Sequence, residues 1–331
     1  MKPIVVHTHL HKRKTGVTRS IENVLPFLKE HCETYVYGQH IDGPTISKQK
    51  LKELLFSNQN IVVHCHRNNE LMTLLKYRFL GAKFQLVATR HSATKPSGLT
   101  RFLLKKADQV ISLVGRVHKD LGIENECIPH GVNTDEFKSN GTTILSEISQ
   151  QHIILNTGRI RKAKGQQTLI EACSLLKDHP DWALVMVGRV DKDAFLQELR
   201  EQIQKLGIDN QVYFIPETKD IVPYYRAATI FVAPSFSEGF ALVTAEAMAC
   251  ECTVIATKDV GVHSEMIDDG KNGYLFEVGN AEALKSIVNE VIEGKKPHLG
   301  KPAREEILNH WSAQLEAKRL SELYLKLSQK K

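Results

Sequence analysis

Short apolar runs alternate with amphipathic stretches along the whole chain. In the first half Ile4-Val5-Val6, Ile61-Val62-Val63, Leu86-Val87-Ala88 and Val110-Ile111-Ser112-Leu113 read as buried strands, with helices over 18–30 and 98–107 between them. The rhythm continues in the second half. Ile153-Ile154-Leu155-Asn156, Ala183-Leu184-Val185-Met186-Val187, Val212-Tyr213-Phe214, Ile230-Phe231-Val232 and Thr253-Val254-Ile255-Ala256 are predicted strands, and helices are predicted over 166–177, 192–206, 221–227, 241–249 and 282–293. Strands separated by helices imply parallel sheets, so the fold class is α/β.

A length of 331 residues suits two domains of ordinary size. Ser, Asn, Gly, Thr and Gln cluster over 139–151, which places the join near residue 150 and predicts domains 1–150 and 151–331. Over 312–327 the apolar residues Leu315, Leu320, Leu323, Tyr324 and Leu327 form the stripe of a closing helix. Two such α/β domains are expected to hold their ligand in the cleft between them.

Composition narrows the classes. With 42% hydrophobic and 25% charged residues, disordered, collagen-like and small disulfide-scaffold proteins are excluded. No apolar run nears the roughly 20 residues of a membrane span, and the first eleven residues read as a strand with histidines, so a soluble cytoplasmic protein is expected. The six cysteines form no CxxC pair and read as reduced structural thiols. His64-Cys65-His66 and Cys250-Glu251-Cys252 lack paired zinc-site spacing, and no metal is expected. Charge is one-sided: residues 1–150 hold 21 Lys and Arg against 13 Asp and Glu, a formal +8, whereas residues 151–331 hold 23 against 25, or −2. The first half is therefore expected to face an acidic partner.

Two segments carry candidate chemistry. In Ser235-Phe236-Ser237-Glu238-Gly239-Phe240-Ala241-Leu242, a strand turns into a helix, so the positive end of the helix dipole lies beside Glu238. Glu246 follows roughly 7.5 Å further along that helix at 1.5 Å per residue. Two acids so spaced could hold hydroxyls at both ends of a ligand with an anionic middle, which is the shape of a nucleotide sugar. In Thr157-Gly158-Arg159-Ile160-Arg161-Lys162-Ala163-Lys164-Gly165, cations and glycines between a strand and a helix suit a diphosphate clamp. The chain has no GxxxxGK[ST] and no GxGxxG after a strand, which disfavours P-loop ATPases and dinucleotide dehydrogenases.

These segments, followed in order from Pro129-His130-Gly131-Val132-Asn133-Thr134-Asp135-Glu136-Phe137, resemble the retaining glycosyltransferases of the GT-B fold, family four, over essentially the whole chain. The resemblance implies two Rossmann-like domains, an acceptor-binding one and a nucleotide-sugar-binding one, with the C-terminal helix returning towards the first. It implies that Arg159 and Lys164 bind the donor diphosphate, that Glu246 holds the donor ribose, and that Glu238 binds the transferred sugar. Gly239, Phe240, Ala241 and Leu242 would face phosphate and sugar through their backbone, and Ile215, with Phe214 and Pro216, the nucleobase. Pro216 stands where the family commonly has glycine. In the first half, Gly16 in Lys14-Thr15-Gly16-Val17-Thr18 resembles the family's glycine loop. His91, with Arg90 as a weaker candidate, resembles the histidine that touches the donor sugar.

The family's mechanism implies attack on the face from which the diphosphate leaves, with a departing phosphate oxygen taking the proton. Neither a carboxylate nucleophile nor a divalent ion is then implied. Lys12 to Thr18 and Arg90 to Lys95 resemble in particular the bacterial lipopolysaccharide-core mannosyltransferases acting on Kdo-bearing lipid A. That implies GDP-mannose as donor, with no separate cofactor. It also implies an anionic glycolipid acceptor and peripheral binding at the cytoplasmic face of the inner membrane, with no nucleic acid as partner. Basic Arg101, Lys105 and Lys106 beside apolar Leu99, Phe102, Leu103 and Leu104 suit such docking. A nucleotide-sugar epimerase of the same architecture and a polyanion-binding protein are the alternatives.

Overall fold

The computed structural model describes residues 2–92, 94–113, 115, 121–143 and 146–329. They form two compact units, Met1–Asn133 with Trp311–Lys331, and Thr134–His310.

In the first unit, strands β1 (Ile4–His9), β2 (Glu33–Gly38), β3 (Ile61–Cys65), β4 (Gln85–Arg90), β5 (Gln109–Ser112) and β6 (Glu126–Cys127) make a parallel sheet in the order β2-β1-β3-β4-β5-β6. Side chains alternate across it. Val6, Val63 and Leu86 pack on α2 (Lys48–Leu55), α3 (Asn68–Phe79) and α4 (Gly98–Leu104). Val5, Val62, Val87 and Ile111 point the other way, onto α1 (Gly16–His31) and the closing helix Ala313–Ser328. The stripe at Leu320, Leu323, Tyr324 and Leu327 thus completes a face of the first sheet, each leucine contributing about 1.5–3 kcal/mol of burial. β2, β6, α2 and α3 are additions to the elements expected from the sequence. β2 is a half-exposed edge strand and α2 is rich in lysine, so neither shows a continuous apolar run.

The second unit repeats the layout. Strands β7 (His152–Thr157), β8 (Trp182–Val187), β9 (Val212–Ile215), β10 (Ile230–Ala233), β11 (Thr253–Thr257) and β12 (Tyr274–Phe276) pair in parallel in the order β12-β11-β10-β7-β8-β9. Helices α5 (Gln166–Ala172), α6 (Asp193–Leu206), α7 (Val222–Ala227), α8 (Leu242–Ala249), α9 (His263–Met266), α10 (Ala281–Ile292) and α11 (Gly300–His310) surround it. The units divide at Asn133–Thr134 and again at Trp311, not at the polar cluster near 150. The reason is anchoring. Phe137 is fully buried with its ring 5.8 Å from that of Tyr225, and its carbonyl accepts from Arg304 Nη1 at 3.1 Å. Arg226 Nε holds the Lys138 carbonyl at 2.9 Å.

Candidate functional site

Counted from its own first strand, the second sheet runs 3-2-1-4-5-6, so building direction reverses between β7 and β10. Open parallel sheets bind ligands at the carboxyl ends of the strands flanking such a reversal, because the loops there diverge. The two segments singled out in the sequence are those loops. They are in backbone contact: Phe236 N–H donates to the Ala163 carbonyl at 3.0 Å, and Gly165 (φ +70°) lies so close that an added Cβ would fall 2.0 Å from the Pro234 carbonyl oxygen. Only glycine fits there. A single 3-10 turn over Lys162–Lys164 then aims Lys164 across the gap.

Lys164 Nζ donates to Glu238 Oε1 at 2.5 Å, with only 14% and 12% of the two side chains exposed. Ser235 Oγ donates to the same oxygen at 2.6 Å. Burial pushes the Glu238 carboxyl up, but the Lys164 charge and these hydrogen bonds outweigh it and hold it below its ordinary value. Glu238 is thus an ionised acceptor beside the start of α8. Ala241, the N-cap, is in the left-handed region at φ +79°, a strain of about 1–3 kcal/mol of the kind that gathers at ligand sites. Glu246 is buried one turn along. Tyr225 Oη donates to its Oε2 at 2.8 Å, and Thr157 Oγ1 lies 2.8 Å from the same phenol. Burial and then the Glu246 charge push the Tyr225 phenol well up, so it stays a donor.

Other expected residues lie as follows. Arg159 pairs with Asp191 at 3.2 Å, a carboxylate it shares with Arg189 at 3.1 Å, so the two cations expected to act together sit on different carboxylates. Ile215 ends β9 with its carbonyl accepting from Gly188 N–H at 2.9 Å. Gly239 lies in the turn, the Phe240 carbonyl accepts from Val262 N–H, and Leu242 begins α8. Sequence reading missed Asp191, Tyr225 and His263. The last is buried, with Nδ1 donating to the Thr257 carbonyl at 2.8 Å and Nε2 lying 3.0 Å from Thr244 Oγ1 on α8.

In the first unit the reversal falls between β1 and β3. Gly16 is the first residue of α1, and an added Cβ there would meet nothing within 4 Å, so packing alone does not require glycine. Next to it Arg67 Nη2 donates to Thr15 Oγ1 at 2.9 Å. Buried Glu70 accepts from Thr8 Oγ1, Leu10 N–H and His66 N–H and braces both loops. Neither Arg67 nor Glu70 stands out in the sequence.

His91 lies just past β4, its Nε2 3.0 Å from His66 Nδ1 and its Nδ1 3.2 Å from His130 Nε2. Setting aside His64-Cys65-His66 on its spacing overlooks the period of a strand: residues two apart share a face. The apolar row Val5, Val62, Val87 is therefore followed on the same face by His7, His64 and Thr89. Nitrogens of His7, His64 and His66 lie within 4.8 Å of one another, and the rings bond to neighbours: His7 to His66 at 3.2 Å, His64 to Tyr324 Oη and to Thr89 Oγ1, both at 2.6 Å. Among the described residues no helix is long and apolar enough to cross a membrane.

Residues 143–306 match the family model described as Glycosyl transferases group 1. The chain is 30% identical over 303 residues to the lipopolysaccharide core biosynthesis mannosyltransferase LpsB of Rhizobium meliloti (strain 1021), covering 85% of this chain and 84% of that one. It is 28% identical over 313 residues to the lipopolysaccharide core biosynthesis mannosyltransferase LpcC of Rhizobium leguminosarum bv. viciae, covering 90% and 87%. The crystal structure of Anabaena HepE in complex with UDP superposes with a TM-score of 0.81 at 19% identity, over 98% of this chain and 100% of that one, which shows the GT-B fold. An epimerase is not favoured by these relatives. The chain belongs to the group 1 glycosyl transferases and is a glycosyltransferase.

Proposed function

We propose that this glycosyltransferase moves mannose from GDP-mannose, with retention and without a divalent metal, to the anionic Kdo-lipid A core of lipopolysaccharide. The observation that carries the donor site is the Lys164–Glu238 pair, which joins the two loops at the sheet reversal beside the start of α8. Entry of a diphosphate would compete with Glu238 for Lys164, freeing Glu238 to accept from hydroxyls of the sugar. Lys164, Arg159 and the helix start supply positive charge as the leaving group departs. The backbone over 239–242 would line phosphate and sugar, Glu246 the ribose, Ile215 the base, and Gly16 and His91 the first-unit side of the reaction. The acceptor hydroxyl attacks from the leaving-group face, and its proton passes to a phosphate oxygen.

The acceptor class is supported by the names of the two relatives and by the first unit's surface. Leu103 and Leu104 of α4 are buried, but Leu99 and Phe102 are exposed, as are Phe79 (92%) and Leu80 at the end of α3. Arg78 Nη1 bonds the Lys106 carbonyl at 3.2 Å and ties these two ends together, with the Lys106 ammonium 5.5 Å over the Phe102 ring. Apolar side chains ringed by Lys and Arg suit peripheral binding at the cytoplasmic face of an anionic inner membrane.

The test is thermal protection by UDP-, GDP- and ADP-sugars, followed by turnover with Kdo-lipid A, with and without EDTA. Protection by GDP-mannose and mannosyl transfer unaffected by EDTA are expected. Protection by UDP-sugars alone would overturn the donor, and sugar conversion without acceptor would restore the epimerase reading.

A further inference from the structure

The first unit holds a continuous line of side chains of which the proposed transfer mechanism uses only His91. Glu316 of the closing helix accepts from Gly131 N–H through Oε2 at 2.8 Å and faces His130 Nδ1 through Oε1 at 2.9 Å. His130 Nε2 faces His91 Nδ1 at 3.2 Å, His91 Nε2 faces His66 Nδ1 at 3.0 Å, and His66 Nε2 faces His7 Nδ1 at 3.2 Å. His7 Nε2 meets the Tyr324 hydroxyl, also on the closing helix, at 3.4 Å. The adjoining cavity, lined by His7, His64, His66, His130 and Glu316 among others, is about 10 Å³, room for one water at most.

Donor and acceptor logic orders it. An ionised carboxylate only accepts, and a neutral imidazole has one donor and one acceptor nitrogen. Burial holds His66 and His91 well below the ordinary imidazole range and His7 at about 4, which keeps these rings neutral. Where His130 carries a single ring proton, that proton must be on Nδ1 to reach Glu316. Its Nε2 then accepts from Nδ1–H of His91, whose Nε2 accepts from Nδ1–H of His66, and the same step repeats at His7. One carboxylate therefore orients four rings.

We propose that Glu316 is a positioning residue that acts through His130 to fix His91 as the Nδ1–H tautomer, so that His91 Nε2 can only accept. A sugar or acceptor hydroxyl that replaces His66 at that nitrogen must then donate to it. This catalytic consequence rests on the proposed reading of His91, whereas the tautomer assignment does not.

The two are separable with Glu316→Gln and Glu316→Asp. In Glu316→Gln the amide oxygen must still accept from Gly131 N–H, so the amide nitrogen donates to His130 Nδ1 and every ring in the line is inverted. Glu316→Asp is shorter but remains an acceptor. Imidazole 15N shifts of the full chain at pH ~8, above the ordinary imidazole range, are read with the His91 signal identified by its loss in His91→Gln. Nδ1–H at His91 in the wild type and in Glu316→Asp, Nε2–H in Glu316→Gln, and turnover about 10–100-fold lower in Glu316→Gln, of the size found for other residues that orient a functional histidine, are expected. A merely structural role would make the shape-conserving Gln the milder change. Nε2–H at His91 in the wild type, or no inversion in Glu316→Gln, overturns the proposal. Inversion with unchanged turnover removes His91 from the reaction while the tautomer assignment stands.

Discussion

The two strand reversals solve the same problem in different ways. In the second unit, polar groups at the sheet end are ionised and paired: Lys164 with Glu238, Arg159 with Asp191. In the first, they are imidazoles kept neutral by burial and joined in a line. Ionised pairs suit a ligand that brings its own charge, because a diphosphate can replace a carboxylate partner. Neutral rings suit a region where hydroxyls must be aimed and solvent excluded.

The largest effect that would break this contrast is in the second unit. Lys164→Met should lower turnover about 10²–10³-fold, the range for losing one donor to developing negative charge, and destabilise the fold by about 3 kcal/mol because Glu238 is left buried and unpaired. Adding Glu238→Gln should recover most of the stability in urea unfolding but not the activity. Joint recovery would mean that the pair only holds the loops together. Glu246→Ala should weaken donor binding about 10–100-fold, as expected for losing hydrogen bonds to a charged group, seen as a shifted saturation curve in calorimetry. An unchanged Kd would take Glu246 out of the donor site.

Acid should separate the regions. His7, its folded value depressed to about 4, binds fewer protons folded than unfolded, so the first unit loses stability as pH falls from about 6.5 towards 4, by about 3 kcal/mol for this ring alone. Glu238, also depressed, stabilises above the unfolded carboxylate range and loses its contribution only as pH falls through its lowered value. The chain has two tryptophans, Trp182 in the second unit and Trp311 in the first. In Trp182→Phe the remaining fluorescence should show a urea midpoint that falls steeply between pH 7 and 5, because burial depresses His7, His64, His66 and His91, and in Trp311→Phe a shallower fall, because the second unit has buried His263 to protonate. Parallel behaviour would erase the distinction. The smallest effect is Phe79→Ser, which should change stability by no more than about 0.5 kcal/mol yet reduce sedimentation with anionic vesicles.

How much of this was legible follows from the range of each contact. Val62 and Val185 sit in apolar runs that announce strands wherever they pair, so both sheets were readable apart from half-exposed β2 and the short β6 and β12. Glu238, Glu246 and Lys164 belong to local motifs at strand ends. Tyr225, Asp191 and Glu316 carry no such mark. Glu316 reaches His130 across 186 positions, and no periodicity reports a partner at that separation. His64 and His66 were visible as a pair but needed the strand's two-residue period, and the register with His7, to become a layer.

The first unit is also discontinuous in time. A ribosome adding about 5–20 residues per second takes roughly 10–35 s to go from Asn133 to Ala313, and throughout that interval the wall formed by Val5, Val62 and Val87 has α1 against it but lacks the second helix that covers it. The nascent amino-terminal lobe therefore keeps part of that sheet face uncovered while the later lobe is made and can fold first.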